Sequence, residues 1–193
     1  MGIYEITKRN KAKVFLLENV KMSKKWKDVL SKAIGVEPIL INSNLVSAQN
    51  RQRLYWTNIG LSENGLYGDL KSNIEQPKDK GIFLKDILQD NPNAKFYLSE
   101  KGVERVSGYN NSAKSLNLND KSICLTAGYN KQGRDNQYIS VDKKYRRLTP
   151  LECERLQTVK DNYTNFVSDT QRYRMLGNGW TVDVIAHIFK YII

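Results

Sequence analysis

The feature that most constrains the fold is a wholly apolar run at residues 14–17, which an amphipathic helix follows closely. A short run without polar residues is typical of a strand buried in a parallel sheet. Apolar residues at helical spacing predict a helix over residues 23–34, which Gly35 ends. Two further strands are predicted at residues 36–41 and 54–59. Strands that alternate with a helix predict an α/β fold with part of an open sheet.

Periodicity weakens in the middle of the chain, where Asn, Gly, Ser, Lys and Tyr become frequent. We therefore predict three regions: an α/β part over residues 1–60, a small irregular α+β region over 61–145, and helices over 146–193. Within the irregular region, a helix is predicted to begin at Ser99. Short strands are predicted at residues 122–126 and 137–141.

Two capping boxes mark helix starts in the last region. Thr149 and Glu152 form the first box, and Ser168 and Gln171 form the second. The last helix follows Gly177-Asn178-Gly179 and carries apolar residues on two sides, which predicts that it is buried between other elements.

Charge is the informative part of the composition. The 193 residues carry 31 Lys and Arg against 20 Asp and Glu, a net charge of +11. A basic surplus of this size favours a polyanionic partner such as nucleic acid, although many small lysine-rich proteins have no such partner.

Other residue classes exclude several functions. Cys124 and Cys153 do not make a disulfide framework, so we expect a reducing cytoplasm. One histidine and no C-x-x-C motif leave no ligand set for a metal. No apolar run is long enough to span a bilayer, so no membrane association is expected.

A carboxylate follows the first predicted strand, in the segment Glu18-Asn19-Val20. In open α/β sheets, ligands bind beyond the carboxyl ends of the strands, so Glu18 is well placed for a ligand. The alternative is a polar residue that merely ends a strand, and three residues by themselves favour that alternative.

Gln49, Arg51 and Arg53 alternate along a segment that is predicted to be extended, so they share one face. Two neighbouring guanidinium groups repel each other unless they meet anions or acceptors, such as phosphates or a base carbonyl oxygen. The alternative is a solvated strand edge.

Three other segments have both a functional and a structural interpretation. Arg146 and Arg147 precede the first capping box and either brace the irregular region or contact DNA. The turn Gly177-Asn178-Gly179 either brings backbone N–H groups to a ligand or is structural only. His187 is interpreted as a packed or surface residue, and the cysteines as small core residues.

The order of four segments resembles the cytosine-C5 DNA methyltransferase family. These segments are L-L-E-N-V, V-S-A-Q-N-R-Q-R-L-Y-W-T-N, R-R-L-T-P-L-E-C-E-R-L-Q and G-N-G-W-T-V-D-V-I. They are similar to the later conserved blocks of that family, and the second is most similar to its phage and animal de novo branch. The resemblance implies a partial Rossmann-like methyltransferase sheet and a small irregular α+β target-recognition domain.

The resemblance also implies roles for individual residues. Glu18 would bond the amino edge and ring nitrogen of a cytosine flipped out of double-stranded DNA, and Arg53 would contact its carbonyl oxygen or the adjacent backbone. Gln49 and Arg51 would hold their strand and the DNA. Arg147 would support the recognition domain.

The cofactor that the resemblance implies is S-adenosylmethionine, with Asn178, Gly179 and Trp180 closing one side of its pocket. In the family, a cysteine thiolate adds to C6 of the base before the methyl group is transferred to C5. The family's glycine-rich cofactor loop and its proline-cysteine pair do not occur in these residues, and neither Cys124 nor Cys153 follows a proline.

We therefore expect the C-terminal half of a bacterial or phage enzyme, in the cytoplasm, with a complementary N-terminal chain supplying the cysteine. This chain by itself would be inactive. The alternatives are a non-catalytic DNA-binding or regulatory homologue and a decayed remnant without function. A base-reading loop is also predicted, with a solvated turn as its alternative. Its members are Asn130, Lys131, Gln132, Arg134, Asn136 and Gln137.

Overall fold

The computed structural model describes residues 13–64, 69–107, 114–115, 117–131, 136–141 and 144–192. The chain divides into two compact units. Unit 1 comprises Met1–Asn42, Gln52–Pro77 and Val184–Ile193, and unit 2 comprises Ser43–Arg51 and Lys78–Asp183. These boundaries differ from the three predicted regions, because both units are assembled from segments that are far apart in the sequence.

Unit 1 contains a three-stranded sheet of β1 (Leu16–Val20), β2 (Ile39–Asn42) and β3 (Gln52–Thr57). The strand order is β1-β3-β2, and β3 runs antiparallel to both neighbours. The prediction of a buried parallel strand at residues 14–17 is therefore wrong. The strand begins two residues later, and its residues are half-buried or exposed because it lies at the edge of the described sheet.

Helix α1 (Lys24–Ile34) follows β1 and confirms the predicted helix. It ends at Gly35, whose φ of 86° is the left-handed conformation that glycine adopts without steric cost. The helix packs its Leu30 and Ile34 side chains against the sheet residues Leu54 and Trp56. The outer residues of the predicted apolar stripe are instead exposed.

The rest of unit 1 comes from later in the chain. Strands β4 (Leu61–Asn64) and β5 (Asp69–Ser72) form an antiparallel pair. His187 is half-buried and donates from Nε2 to the Glu75 carbonyl oxygen at 2.8 Å, in agreement with its interpretation as a packed or surface residue.

Unit 2 is built from short helices and strands. Its α-helices are α2 (Glu100–Ser107), α3 (Pro150–Leu156) and α4 (Asp169–Asn178), and α5 (Val182–Phe189) begins in unit 2 and ends in unit 1. Strands β6 (Lys114–Ser115), β7 (Gln137–Val141) and β8 (Lys144–Arg146) form its sheet in the order β6-β7-β8. The strand predicted at residues 122–126 is reduced to one bridge between Gln49 and Ser122.

A buried ion pair lies at the start of α3. Arg146 donates two hydrogen bonds of 2.8 Å to the two carboxylate oxygens of Glu152, and both side chains are buried. Glu152 also accepts from the Thr149 N–H at 2.7 Å, which confirms the predicted capping box. Arg146 therefore braces this region, one of the two roles predicted for it.

Candidate functional site

Glu18 and Arg53 form an ion pair on one face of the unit 1 sheet. Glu18 is aligned with Tyr55 in the antiparallel register, which places Arg53 diagonally across from it on the same face. The Arg53 Nε lies 2.7 Å from Glu18 Oε1. The side chains are 15% and 18% exposed, so the pair is sheltered yet still reached by solvent.

This pair presents two fixed and complementary groups. A carboxylate accepts hydrogen bonds from N–H groups, and a guanidinium donates them to carbonyl oxygens. Because each group holds the other in place, a ligand that carries both kinds of edge would meet a preorganised partner. The sequence predicted both residues, but their pairing became evident only from the register of β1 and β3.

Gln49 lies in the interior of unit 2 and is fully buried. Its Nε2 donates to the Leu156 carbonyl oxygen at 2.9 Å, and its Oε1 accepts from the Leu125 N–H at 3.1 Å. The predicted DNA contact of Gln49 therefore lacks the exposed surface that it requires. Its contacts support the other half of that prediction, in which Gln49 holds its own segment in place.

Arg51 is also buried and connects two segments of unit 2. Its guanidinium donates to the Leu125 carbonyl oxygen at 3.0 Å, and to those of Gly177 and Gly179 at 3.2 and 2.9 Å. Four residues before Arg51, Ser47 donates to Leu156. Arg51 thus holds the end of α4 in place, and its predicted DNA contact also lacks exposed surface.

The segment Gly177-Asn178-Gly179 differs from the predicted turn. Gly177 and Asn178 form the end of α4, and α5 begins three residues after Gly179. Gly177 is needed for close packing, because a Cβ there would lie 2.3 Å from the Ala127 nitrogen and the Thr126 carbonyl carbon. Glycine thus lets the helix backbone touch another backbone segment.

Asn178 and Trp180 are the exposed residues of the predicted cofactor segment. Asn178 is exposed, and the Trp180 side chain is 44% exposed. Between them, the carbonyl oxygen of Gly179 is fixed by Arg51. An amide and an aromatic ring therefore flank a fixed backbone carbonyl in this segment.

Arg147 is half-buried and donates to the Asn130 carbonyl oxygen at 2.8 Å, so it ties the start of the predicted reading loop to β8. Its Nε is buried without a hydrogen-bond partner in the described structure. Gln132 and Arg134 lie outside the described residues. Of the remaining loop members, Asn136 is buried and donates to the Tyr129 carbonyl oxygen at 3.0 Å.

The two cysteines differ in their surroundings. Cys153 is fully buried, and this burial raises the pKa of its thiol well above the usual value, which makes it a poor nucleophile. Cys124 is half-buried, with its sulfur 3.2 Å from an Arg51 nitrogen. The interpretation of the cysteines as small core residues is therefore supported for Cys153.

Metal-ligating clusters and membrane-spanning helices are absent from the described residues. No group of three or more His, Cys, Asp or Glu side chains in the described ranges is arranged to hold a metal ion. In the same part of the chain, no helix has both the length and the apolar character needed to cross a bilayer.

Gln157 and Glu154 organise the site region and were not predicted from the sequence. Gln157 donates from Nε2 to the Leu176 carbonyl oxygen at 2.5 Å and accepts from Thr181 at 2.9 Å. Glu154 is buried and bonded to residues of the following loop. Their signal in the sequence was that both lie in the segment R-R-L-T-P-L-E-C-E-R-L-Q, in which they were given no role of their own.

Comparison with known proteins identifies similar sequences and folds. The family model for C-5 cytosine-specific DNA methylase matches residues 1–193. The Type II methyltransferase M.NlaX of Neisseria lactamica is 30% identical over 207 residues, covering 96% of this chain and 64% of that protein. The Type II methyltransferase M1.ScrFI of Lactococcus lactis is 28% identical over 210 residues, covering 96% of this chain and 53% of that protein.

A solved structure supports the fold assignment. The methyltransferase EhMeth of Entamoeba histolytica superimposes with a TM-score of 0.70, covering 93% of this chain and 62% of that chain at 19% identity. The chain spans about half to two thirds of the length of the two curated relatives named above.

Proposed function

The chain belongs to the C-5 cytosine-specific DNA methylase family, and from that membership we propose that it is the base-recognising, C-terminal portion of a DNA cytosine-5 methyltransferase. The observation that carries the proposal is the ion pair between Glu18 and Arg53, which lie 2.7 Å apart at the places where the family motifs put a carboxylate and a guanidinium. A protein that only binds DNA has no need of this sheltered pair.

In this proposal, Glu18 and Arg53 recognise the target cytosine after it has left the duplex. The Glu18 carboxylate would accept a hydrogen bond from the exocyclic amino group and hold a proton shared with ring nitrogen N3. The Arg53 guanidinium would donate to the carbonyl oxygen on the other side of N3. Together they would stabilise charge that develops on the ring when a thiolate adds to C6.

The cofactor of the family, S-adenosylmethionine, would supply the methyl group. Asn178, Gly179 and Trp180 would hold one side of it. Arg51 would keep the Gly179 carbonyl in position, since its guanidinium bonds that oxygen at 2.9 Å. Burial of Arg51 makes this contact insensitive to competing water.

Double-stranded DNA is the proposed substrate, and its phosphates would be held by the basic surface that gives a net charge of +11. Arg147 would support the recognition region, and Gln132 and Arg134 would read base edges in the major groove. We place the protein in the cytoplasm of a bacterium or of a phage-infected cell.

The catalytic thiol would come from polypeptide outside these 193 residues, because neither cysteine follows a proline and Cys153 is buried. We propose that this polypeptide is a complementary N-terminal portion that joins unit 1 at the β1 edge. That edge carries the half-exposed Val14 and Val20 and has one partner strand in the described sheet.

The test is a methyl-transfer assay with the chain co-expressed with the part of the Neisseria lactamica relative that this chain does not match. Labelled methyl transfer to cytosine-rich duplex DNA should appear only with both polypeptides. Glu18→Gln should reduce the rate about 100-fold or more, because it removes the charge that stabilises the activated ring.

Asp28→Asn is the matched control, since Asp28 is an exposed acid on α1 in the same unit and should leave the rate unchanged. Equal rates for the wild-type chain and Glu18→Gln would contradict the proposed role. If the pair transfers no methyl groups but the chain binds DNA, the non-catalytic DNA-binding homologue is the better interpretation.

A further inference from the structure

The loop at residues 159–167, between α3 and α4, is held in place by polar contacts to Glu154 and Arg172. The buried Glu154 carboxylate accepts from the Asn162 and Thr164 N–H groups at 2.6 and 2.8 Å, and from the Thr164 hydroxyl. Arg172 bonds both Glu154 and Thr164, at 2.9 and 3.0 Å. Side chains of α3 and α4 therefore hold the loop backbone in place.

The backbone of this region also adopts costly conformations. Thr158 and Asn162 have φ values of 53° and 65°, in the left-handed region that residues other than glycine seldom occupy. Such residues persist where surrounding contacts over-determine them, and they cluster at functional sites. The Glu154 contacts supply that constraint for Asn162.

The fixed loop holds two aromatic side chains in solvent. Tyr163 is 67% exposed and Phe166 is 90% exposed, whereas Thr164 between them is buried. A phenylalanine packed against its own protein would bury most of its ring. Here the loop contacts instead hold Phe166 outward, at the loss of the apolar burial that usually stabilises such a side chain.

The charges along the loop favour an anionic partner. Its acidic residue Asp161 is bonded by Arg155 at 2.7 Å, and Asp169 just beyond it is paired with Lys95 at 2.6 Å. By contrast, Lys160 on the loop and Arg174 on the following helix α4 take part in no ion pair within the described parts of the chain. The acids are thus neutralised internally while two cations stay available.

We propose that the 159–167 loop is a duplex-DNA contact, in which Phe166 and Tyr163 pack against base or sugar surfaces and Lys160 binds a phosphate. The inference rests on the proposed function, since it assigns a further contact surface to the same substrate. Apolar side chains that enter a DNA groove separate base steps, and aromatic rings stack on unpaired bases. Because the loop is already ordered, binding costs little conformational entropy.

Fluorescence anisotropy with a fluorescein-labelled 20-base-pair duplex tests this inference on the full chain. Phe166→Ala and Tyr163→Ala should each weaken binding about 10-fold, and Tyr163→Phe, which keeps the ring, should bind as the wild type does. Lys160→Ala should lower the slope of log affinity against log salt by about 1. The four substitutions fall at three exposed positions, so the thermal unfolding midpoints should match.

Trp26→Ala is the matched control, because Trp26 is also an exposed ring beside a lysine, with Lys25 5.6 Å from its centroid, but lies on a helix in unit 1. Wild-type affinity in Phe166→Ala and Tyr163→Ala would overturn the inference and leave the proposed function standing. Failure of the wild-type chain to bind the duplex would overturn both. If the substitutions reduce self-association in sedimentation runs and not DNA affinity, the loop is a protein interface and the inference is wrong.

Discussion

Gly177 is the residue whose identity the structure restricts most directly. Its missing side chain lets the end of α4 touch the backbone at Thr126 and Ala127, where any Cβ would approach to 2.3 Å. Arg51 then joins the same two segments by bonding the carbonyl oxygens of Leu125 and Gly177. The close packing at Gly177 and the hydrogen bonds of the buried Arg51 guanidinium thus hold the same two segments together.

Gly177→Ala should lower the free energy of unfolding by about 1–3 kcal/mol, because backbone and not a flexible side chain must move to admit the methyl group. Gly128→Ala is the control, since a Cβ at Gly128 meets nothing within 4 Å. Urea denaturation followed by circular dichroism measures both. Equal stability of the two variants would show that the junction relaxes without cost.

At this scale the sequence predicted some residues well and others poorly. Glu18 and Arg53 were both selected as site residues, and they meet in the structure. Gln49 and Arg51 were expected at the surface because alternation shows which side chains share a face, but not which face is buried. Only the packing of residues 43–51 into unit 2 decides that, and no local pattern encodes it.

At the scale of elements, the Glu154 carboxylate on α3 holds the loop that follows this helix. Burial raises the pKa of the Glu154 carboxyl, but hydrogen bonds from Thr164, Arg172 and Asn162 outweigh burial, and the pKa is lowered overall. The ionised form is therefore the one that holds the loop. Since the unfolded chain has an ordinary glutamate pKa near 4.3, folding favours the deprotonated group.

The free energy of unfolding should consequently fall as the pH drops below about 5, because the unfolded chain then binds a proton at Glu154 that the folded state does not. Glu154→Gln should cost about 2 kcal/mol at pH 7 and should flatten this acid decline. Urea denaturation between pH 3 and 7 measures both. Glu37→Gln, in an exposed pair with Lys27, should keep the wild-type pH profile, and an unchanged decline in Glu154→Gln would refute the role of this carboxylate.

Helix boundaries were the most predictable features of the fold. The Thr149 capping box and the Gly35 stop follow from local chemistry, and the structure confirms both. The orientation and position of β1 were not predictable, because an apolar run of four residues does not specify which strand it will pair with. Pairing with β3, from residues about forty positions later, determines the register.

At the scale of the molecule, strand β1 lies at an edge of the described sheet and carries an exposed apolar side chain. Val20 on β1 is 53% exposed, and β1 pairs only with β3 among the described strands. Unpaired backbone groups beside apolar side chains favour association with another chain. This agrees with the proposal that further polypeptide joins unit 1 there.

The chain by itself should therefore self-associate as its concentration rises, and Val20→Lys should shift it towards a monomer in sedimentation velocity. Val29→Lys is the matched control, because Val29 is a similarly exposed valine (52%) on a helix, where it borders no strand edge. A wild-type chain that stays monomeric at the highest concentration would contradict this expectation.

Because unit 2 is formed from two separate segments of the chain, any exchange of this unit between related genes is constrained. Its core includes Ala48, and its polar network includes Gln49 and Arg51, all from the nine-residue segment Ser43–Arg51. A recombination event that carried only Lys78–Asp183 into a related gene would leave this segment behind. A transfer that keeps unit 2 folded should therefore either include Ser43–Arg51 or consist of smaller replacements that spare Leu125, Leu156 and Gly177.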